Sequence, residues 1–131
     1  MKTKLAIFWL SVAVANSAIV TIAFMAPGVI DDIRAGQVLG AQISPDLLLL
    51  IAVTYFWIPL IMAVLSITLK NSINRWVNII AGALYIVFVL NEFVSNIMIV
   101  AYYYGVLMHV SELVVLALIA WHAWKWPKES G

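Results

Sequence analysis

The sequence predicts an all-α integral membrane protein in which four transmembrane helices form one antiparallel bundle. Hydrophobic residues make up 66% of the 131 residues and charged residues only 10%, a balance that globular proteins do not show. The apolar residues gather into four stretches, each near the ~20 residues that a helix needs to cross a ~30 Å hydrocarbon layer. Since a chain of this length normally makes one domain, residues 1–131 are predicted to be a single transmembrane domain.

Polar segments mark most of the boundaries between the predicted spans. The spans cover about residues 5–26, 47–69, 76–96 and 105–126. Pro27 is predicted to end the first helix and Ser44 to cap the second. Residues 70–75 are predicted to form a polar turn between the second and third spans. No polar break marks the third connection, so its position is predicted only to within several residues.

The first apolar stretch is interpreted as a retained span rather than a cleaved signal peptide. Lys2 and Lys4 precede it, and the small residues around Ala15 resemble a cleavage site. The apolar run nevertheless continues to Ala26. That length suits a membrane span and exceeds the usual apolar core of a signal peptide.

Lysine and arginine residues fall mainly on one side of the predicted membrane. With four spans, only Arg34 lies opposite the chain termini; the other six are Lys2, Lys4, Lys70, Arg75, Lys125 and Lys128. By the positive-inside rule, both termini are predicted to be cytoplasmic. Four tryptophans are then predicted to form the aromatic belt at the inner interface: Trp76, Trp121, Trp124 and Trp126.

The connection between the first two spans, residues 27–45, mixes apolar side chains with Asp31, Asp32 and Arg34. This mixture predicts a short amphipathic helix on the extracytoplasmic surface. Gly36 and Gly40 are expected to limit that helix to a few turns. The segment is expected to be either a lid over the outer end of the bundle or a plain interfacial loop.

Two carboxyl groups, those of Glu92 and Glu112, lie inside the third and fourth spans. A charge in the hydrocarbon layer costs roughly 3 kcal/mol or more, so such residues normally face the bundle interior or a wet cavity and mark a functional site. Counting ~1.5 Å per residue from Trp76 and Trp126 places both acids at similar depth in the outer half. His109 shares a helix face with Glu112, and the two side chains are predicted to be able to pair.

Other polar residues of the spans are predicted to reach the same depth. A polar stripe on the third span runs from Asn78 to Asn96, and Tyr55 lies in the outer part of the second span. Pro59 leaves the Tyr55 carbonyl without its helical donor. The proline is expected either to be a kink without function or to leave this oxygen for a hydrogen bond from a ligand, a water or a protonated acid. The candidate ligand-binding residues are Glu92, His109, Glu112, Asn16, Tyr55, Tyr85 and Asn96.

Composition and motifs exclude several other kinds of site. Without cysteine, the chain can form no disulfide, thiolate nucleophile or Cys-ligated metal centre. Its two histidines are far apart in sequence, so no metal site is predicted. A net charge of +1 indicates no nucleic-acid partner. The sequence also has no glycine-rich phosphate loop, nucleophile elbow or HExxH motif.

Five short stretches carry a resemblance to a known family. They are MAPGVIDDI (25–33), AQISP (41–45), IPLIMAVLS (58–66), RWVNIIAG (75–82) and WHAWKW (121–126), with an acid midway through the last span. The chain resembles a family of small uncharacterised bacterial four-span membrane proteins that is distantly similar to the DoxX-like group. The resemblance implies the four-span fold and a location in the bacterial inner membrane.

The DoxX-like group is linked to quinone-coupled oxidation of sulfur compounds or to membrane redox assemblies. A quinone is therefore the cofactor that the resemblance implies, whereas the residues themselves indicate no covalent or metal cofactor. Because the chain has no cysteine to handle sulfur, the activity of that group is not carried over.

The favoured function is binding of a proton or a small hydrophobic molecule, such as a lipid or a quinone, in an outer-half polar pocket. Three alternatives stay open: an accessory subunit of a larger membrane complex, a membrane oxidoreductase or acid–base enzyme, and a small proton-coupled transporter acting as a dimer. Besides the bilayer, the expected partners are thus a second copy or a larger complex. Small residues are predicted to allow the close helix contacts of a dimer: Gly82, Ala13, Ala18, Ala63 and Ala81.

Overall fold

The structure is a computed structural model that describes residues 1–38, 40–99 and 103–126, with backbone alone for residues 96–99. Its helices are α1 Lys2–Ala23, α2 Val29–Arg34, α3 Pro45–Ile51, α4 Ile58–Thr68, α5 Asn71–Ile99 and α6 Tyr103–Lys125. A π-helical segment, Ala52–Trp57, joins α3 directly to α4. The strands β1 Gln37–Val38 and β2 Ala41–Gln42 pair in antiparallel fashion.

Four helical stretches are long and apolar enough to cross a membrane. They are Lys2–Ala23, Pro45–Thr68, Asn71–Ser95 and Tyr103–Lys125. The second of them is continuous from α3 through the π-helical segment to α4, and we call it the α3–α4 helix. The structure thus confirms four helices with the length and composition of membrane spans.

Buried positions recur along the helices at steps of three and four residues. On α1 they are Leu5, Ala6, Trp9, Val12, Ala13 and Asn16. On α6 they are Gly105, His109, Glu112, Leu116, Ile119 and Ala123. This spacing places one face of each helix against its neighbours. The opposite faces expose large apolar side chains, among them Val14, Leu84 and Leu107.

The helices do not all pack with equal closeness. α1 packs against both α4 and α6, and α6 packs against α5. By contrast, the backbones of α4 and α5 come close at few places although the two helices are consecutive. We call the boundary between the α3–α4 helix and α5 the seam; long side chains close it.

The connection between α4 and α5 is shorter than predicted. A polar turn over residues 70–75 is wrong, because α5 already begins at Asn71. Only Leu69 and Lys70 lie between the two helices. The seam is therefore spanned at this end by a two-residue connection.

Asn74 and Arg75 belong to α5 because they satisfy the ends of neighbouring helices. Asn74 Nδ2 donates to Ser66 O at 2.6 Å. The Nε and Nη2 of Arg75 donate to Ala123 O and Trp124 O, each at 3.2 Å. Carbonyls in the last turn of a helix lack helical donors, and polar or basic side chains are their usual partners. Both side chains are consequently buried rather than solvated.

The segment between α1 and α3 contains the predicted short helix and also a hairpin that was not predicted. α2 has six residues, and none of them is buried. Asp31 and Arg34 form an exposed ion pair at 3.8 Å, which contributes little to stability. Gly36 follows the end of α2 and Gly40 lies between the strands, with φ of 80° and 74°, a backbone conformation that favours glycine.

The tryptophans predicted to form one belt divide into two groups. Three of them are exposed: Trp76, Trp121 and Trp124. The Arg75 guanidinium lies 5.2 Å from the Trp76 ring centroid, and Lys125 Nζ lies 4.5 Å from that of Trp121. The assignment of Trp126 to the belt is wrong, because it follows the end of α6 and is buried in the hydrophobic core.

Four of the five small residues that were expected at a dimer contact pack inside the chain. Gly82 is buried, and a Cβ at this position would lie 3.6 Å from Ile119 Cγ2. Ala13 and Ala63 are also buried, and Ala81 packs against the core. These residues allow close packing between helices of one molecule and offer no argument for a dimer.

Candidate functional site

Pro59 determines the backbone geometry beside the candidate site. Having no N–H, it cannot donate to the Tyr55 carbonyl in an α-helical register or to the Thr54 carbonyl in a π-helical register. The helix is π-helical over Ala52–Trp57, immediately before this point. The carbonyls of Thr54 and Tyr55 are therefore left to other donors.

Side chains of α1 and α5 supply these donors. Asn16 Nδ2 donates to Tyr55 O at 2.7 Å, and Tyr85 Oη donates to Thr54 O at 2.5 Å. Asn16 Nδ2 also donates to Tyr85 Oη at 2.8 Å, which links the two contacts. Asn16 is thus a donor to the carbonyl that Pro59 leaves free, and acceptance from a ligand, a water or an acid stays a prediction.

The Tyr55 side chain crosses the seam to α5. Its Oη donates to Glu92 Oε2 at 2.6 Å, a short hydrogen bond. The ring of Phe88 lies 5.5 Å from the Tyr55 ring and 5.3 Å from the Tyr85 ring, measured between centroids. Three aromatic rings thus fill the seam next to the Glu92 carboxyl.

Glu112, on α6, is only 1% exposed. Within the described part of the chain, neither of its carboxyl oxygens has a hydrogen-bond partner. The predicted pairing with His109 is not formed, although His109 is buried on the same face one turn away. A three-residue separation brings two side chains to one face of a helix but does not by itself bring their polar atoms together.

The two acids and the histidine are electrostatically coupled. The charge of Glu92 acts on both Glu112 and His109, and Tyr55 interacts with both acids. Six of the seven candidate residues are therefore linked by hydrogen bonds or electrostatic interactions: Asn16, Tyr55, Tyr85, Glu92, His109 and Glu112. The side chain of the seventh candidate, Asn96, lies outside the described residues.

No lysine or arginine in the described ranges forms an ion pair with either acid. The described His, Asp and Glu side chains also include no group of three placed to hold a metal ion. An ionised Glu112 would thus lack both a cation and a donor among these residues. In an apolar interior, such a group is stabilised when it holds a proton or receives a donor from a bound molecule.

Comparison with known protein families assigns the chain to one of them. A model for a family of unknown function, DUF6326, matches residues 1–130. The chain belongs to the DUF6326 family. The match confirms membership of an uncharacterised family and covers all four apolar helices of this DUF6326 chain. No curated protein and no solved structure matches it.

This DUF6326 chain has a second buried polar cluster, nearer to its termini, that the sequence did not predict as a unit. Asn78 Oδ1 accepts hydrogen bonds from Trp9 Nε1 at 2.7 Å and from Ser66 Oγ at 3.2 Å. Asn78 Nδ2 donates to Asn74 Oδ1 at 2.7 Å. The polar stripe on the third span indicated that Asn78 is inside the bundle. No local sequence pattern could predict its hydrogen bond with Trp9. Because these groups satisfy one another, we assign the cluster to helix packing.

A shallow groove lies on the surface of this DUF6326 chain between α1 and α6. Its lining residues are Ile7, Leu10, Ser11, Val14, Ala15 and Met108. None of them is a candidate site residue. The groove is therefore separate from the acids, and the outer-half ligand pocket stays a prediction.

Proposed function

We propose that this DUF6326 protein is a multi-pass membrane protein that takes up a proton at Glu112, and that a small hydrophobic molecule with a donor group or positive charge can replace that proton. The observation that carries the proposal is the burial of Glu112 without a described partner for either oxygen. An unpartnered carboxylate in this environment costs several kcal/mol, at least ~3 kcal/mol within a bilayer. Uptake of a proton or a ligand removes that cost.

We propose further that the protein forms an antiparallel four-helix transmembrane bundle. The four apolar helices and their exposed apolar faces support membrane insertion. The contacts of Asn16 with Tyr55 and of Arg75 with Ala123 support alternating helix directions. The positive-inside rule supports cytoplasmic termini and places α2 and the hairpin outside. The motif similarity supports a bacterial inner membrane and a distant relation to the DoxX-like group.

The coupling of Glu92 to Glu112 is a second reason to propose proton uptake. Two carboxyls that interact in an apolar environment are more stable when they share at least one proton than when both are charged. Titratable groups reach them from three directions: Tyr55 on the π-helical segment, Tyr85 on α5 and His109 on α6. In the proposed orientation, this cluster lies in the outer half of the bundle.

The test is infrared difference spectroscopy of the purified protein in lipid nanodiscs, recorded as the pH is varied. We expect a protonated carboxyl band that Glu112→Gln removes. The matched control is Asp46→Asn, since Asp46 is an exposed acid in the first turn of α3. Identical carboxyl bands in the wild type and in Glu112→Gln would overturn the proposal. An accessory subunit would then be the better explanation.

A further inference from the structure

The outer part of the α3–α4 helix is loosely held. No residue of α3 is buried, and Leu48, Leu49 and Leu50 are 54–63% exposed. The backbones of α4 and α5 come close to each other at few places. Within the described residues, α3 and the π-helical segment come close to α5 at even fewer places. Side chains, rather than close backbone packing, therefore keep the seam shut at the level of the acids.

The same helix contains a site at which it can bend, which we call the pivot. π-Helical segments and prolines are two of the recognised causes of helix bending, and here they are adjacent, at Ala52–Trp57 and Pro59. Asn16 and Tyr85 hold the carbonyls of Tyr55 and Thr54, so the backbone is anchored at the pivot itself. The side chain of the same Tyr55 fastens the seam through its hydrogen bond to Glu92.

Opening of the seam would uncover a surface suited to one class of ligand. It would present the Glu92 carboxyl beside the rings of Tyr55 and Phe88. Glu112 interacts electrostatically with Glu92 and with Tyr55. Carboxyls together with aromatic faces attract a positive charge carried on an apolar body. The sequence adds no competing cation, because residues 5–23, 45–68 and 76–124 contain no lysine or arginine. A cation compensates the negative charge of the acids directly, whereas an anionic ligand would add to that charge.

We propose that the seam is a side opening through which a lipophilic cation passes from the lipid phase to Glu92 and Glu112. The inference rests on the proposed function and names the class of its ligand. The cation displaces the Tyr55 hydroxyl from Glu92, and a carboxyl proton leaves to water as the positive charge enters. Among the described residues, Tyr85 on α5 and His109 on α6 also interact with the acids, and neither is a lysine or arginine that would oppose the exchange.

Binding of tetraphenylphosphonium to the full chain in nanodiscs tests the ligand class. We expect saturable binding accompanied by proton release, detected with a pH indicator. Glu112→Gln and Glu92→Gln should each weaken binding about tenfold or more, because each removes one carboxylate from the site. The exposed Tyr103, changed to Phe, is the matched control and should bind as the wild type does.

Two variants that should change the association rate in opposite directions test whether the cation enters through the seam. Tyr55→Phe removes the fastening to Glu92 but keeps the ring, so the cation should associate several-fold faster. Pro59→Ala restores a backbone donor beside the pivot and should slow association several-fold. Unchanged association rates in both variants would overturn the side opening. Circular dichroism of each variant separates these effects from loss of fold.

Absence of tetraphenylphosphonium binding, or equal binding by the wild type and both acid variants, would overturn the ligand class. The infrared experiment distinguishes that failure from failure of the proposed function. If Glu112→Gln still removes a protonated carboxyl band while the cation does not bind, proton uptake stands and this inference falls. If neither is seen, both fall.

Discussion

Asn16 on α1 donates its side-chain amide to the backbone carbonyl of Tyr55 at 2.7 Å and so replaces the donor that Pro59 cannot supply. One helix thus completes the hydrogen bonding of another at the point where the second is irregular. The same amide group contacts Tyr85, so a single polar residue joins three of the four long helices. This contact lies next to the candidate proton site and sets the position of Tyr55 relative to Glu92.

The Asn16 contact leads to a prediction about stability. Asn16→Leu preserves volume but leaves the Tyr55 carbonyl without a donor, and should lower the free energy of unfolding by about 1–2 kcal/mol. Adding Pro59→Ala should recover part of this loss, because the restored N–H can donate to the same carbonyl. The measurement is reversible unfolding in mixed detergent micelles.

Ser17→Ala is the control for this pair, since among the described residues the Ser17 hydroxyl bonds only within its own helix, to Ala13 O at 3.0 Å. Its effect should stay within about 0.5 kcal/mol. Pro59→Ala could instead lower the free energy of unfolding of Asn16→Leu by as much as it lowers that of the wild type. That result would show that Asn16 and Pro59 do not act on the same carbonyl.

A second prediction separates function from packing at Glu112. If the carboxyl is present for ligand or proton uptake, Glu112→Met should stabilise the protein by about 1 kcal/mol or more, because it replaces an unpartnered polar group with an apolar one. Thermal unfolding of the purified variant measures this. A midpoint clearly below that of the wild type would show instead that Glu112 holds the helices together.

Substitutions in the second buried polar cluster, around Asn78, should destabilise the protein rather than stabilise it. Asn78→Leu breaks contacts with Trp9, Ser66 and Asn74 and should cost about 2 kcal/mol, while proton uptake at Glu112 is retained. Trp9→Phe removes one donor only and should cost less than half as much. Unfolding in mixed micelles and the infrared carboxyl band report the two effects independently. Loss of the carboxyl band in Asn78→Leu would contradict the assignment of this cluster to packing.

Membrane orientation can be tested cleanly because the chain has no cysteine. In intact bacterial cells, Asp31→Cys should react with a membrane-impermeant thiol reagent, whereas Lys2→Cys should react only after the membrane is opened. Ile80→Cys is the control, since Ile80 is exposed on α5 inside a proposed span and should be shielded by lipid. Labelling of Lys2→Cys from outside would reverse the proposed orientation.

The four helices could be predicted from the sequence because the patterns that indicate them are local. Apolar length and the cost of a buried charge can be read one residue at a time, and these features indicated the four helices and the inward placement of Glu112. The irregularity at Pro59 could also be foreseen, because it follows from one missing N–H. The same kind of reasoning failed for residues 70–75, where Asn74 and Arg75 looked like a solvated turn.

Only the tertiary structure decided which partners these groups find. Asn74 and Arg75 enter α5 because the carboxyl ends of α4 and α6 lie beside them, and Asn16 takes the Tyr55 carbonyl because α1 passes the π-helical segment. Hydrogen bonds between helices depend on the positions of atoms far apart in the chain, and one sequence leaves those positions open. For the same reason, the sequence predicted that Glu112 and His109 share one helix face but could not show that their side chains form no hydrogen bond with each other.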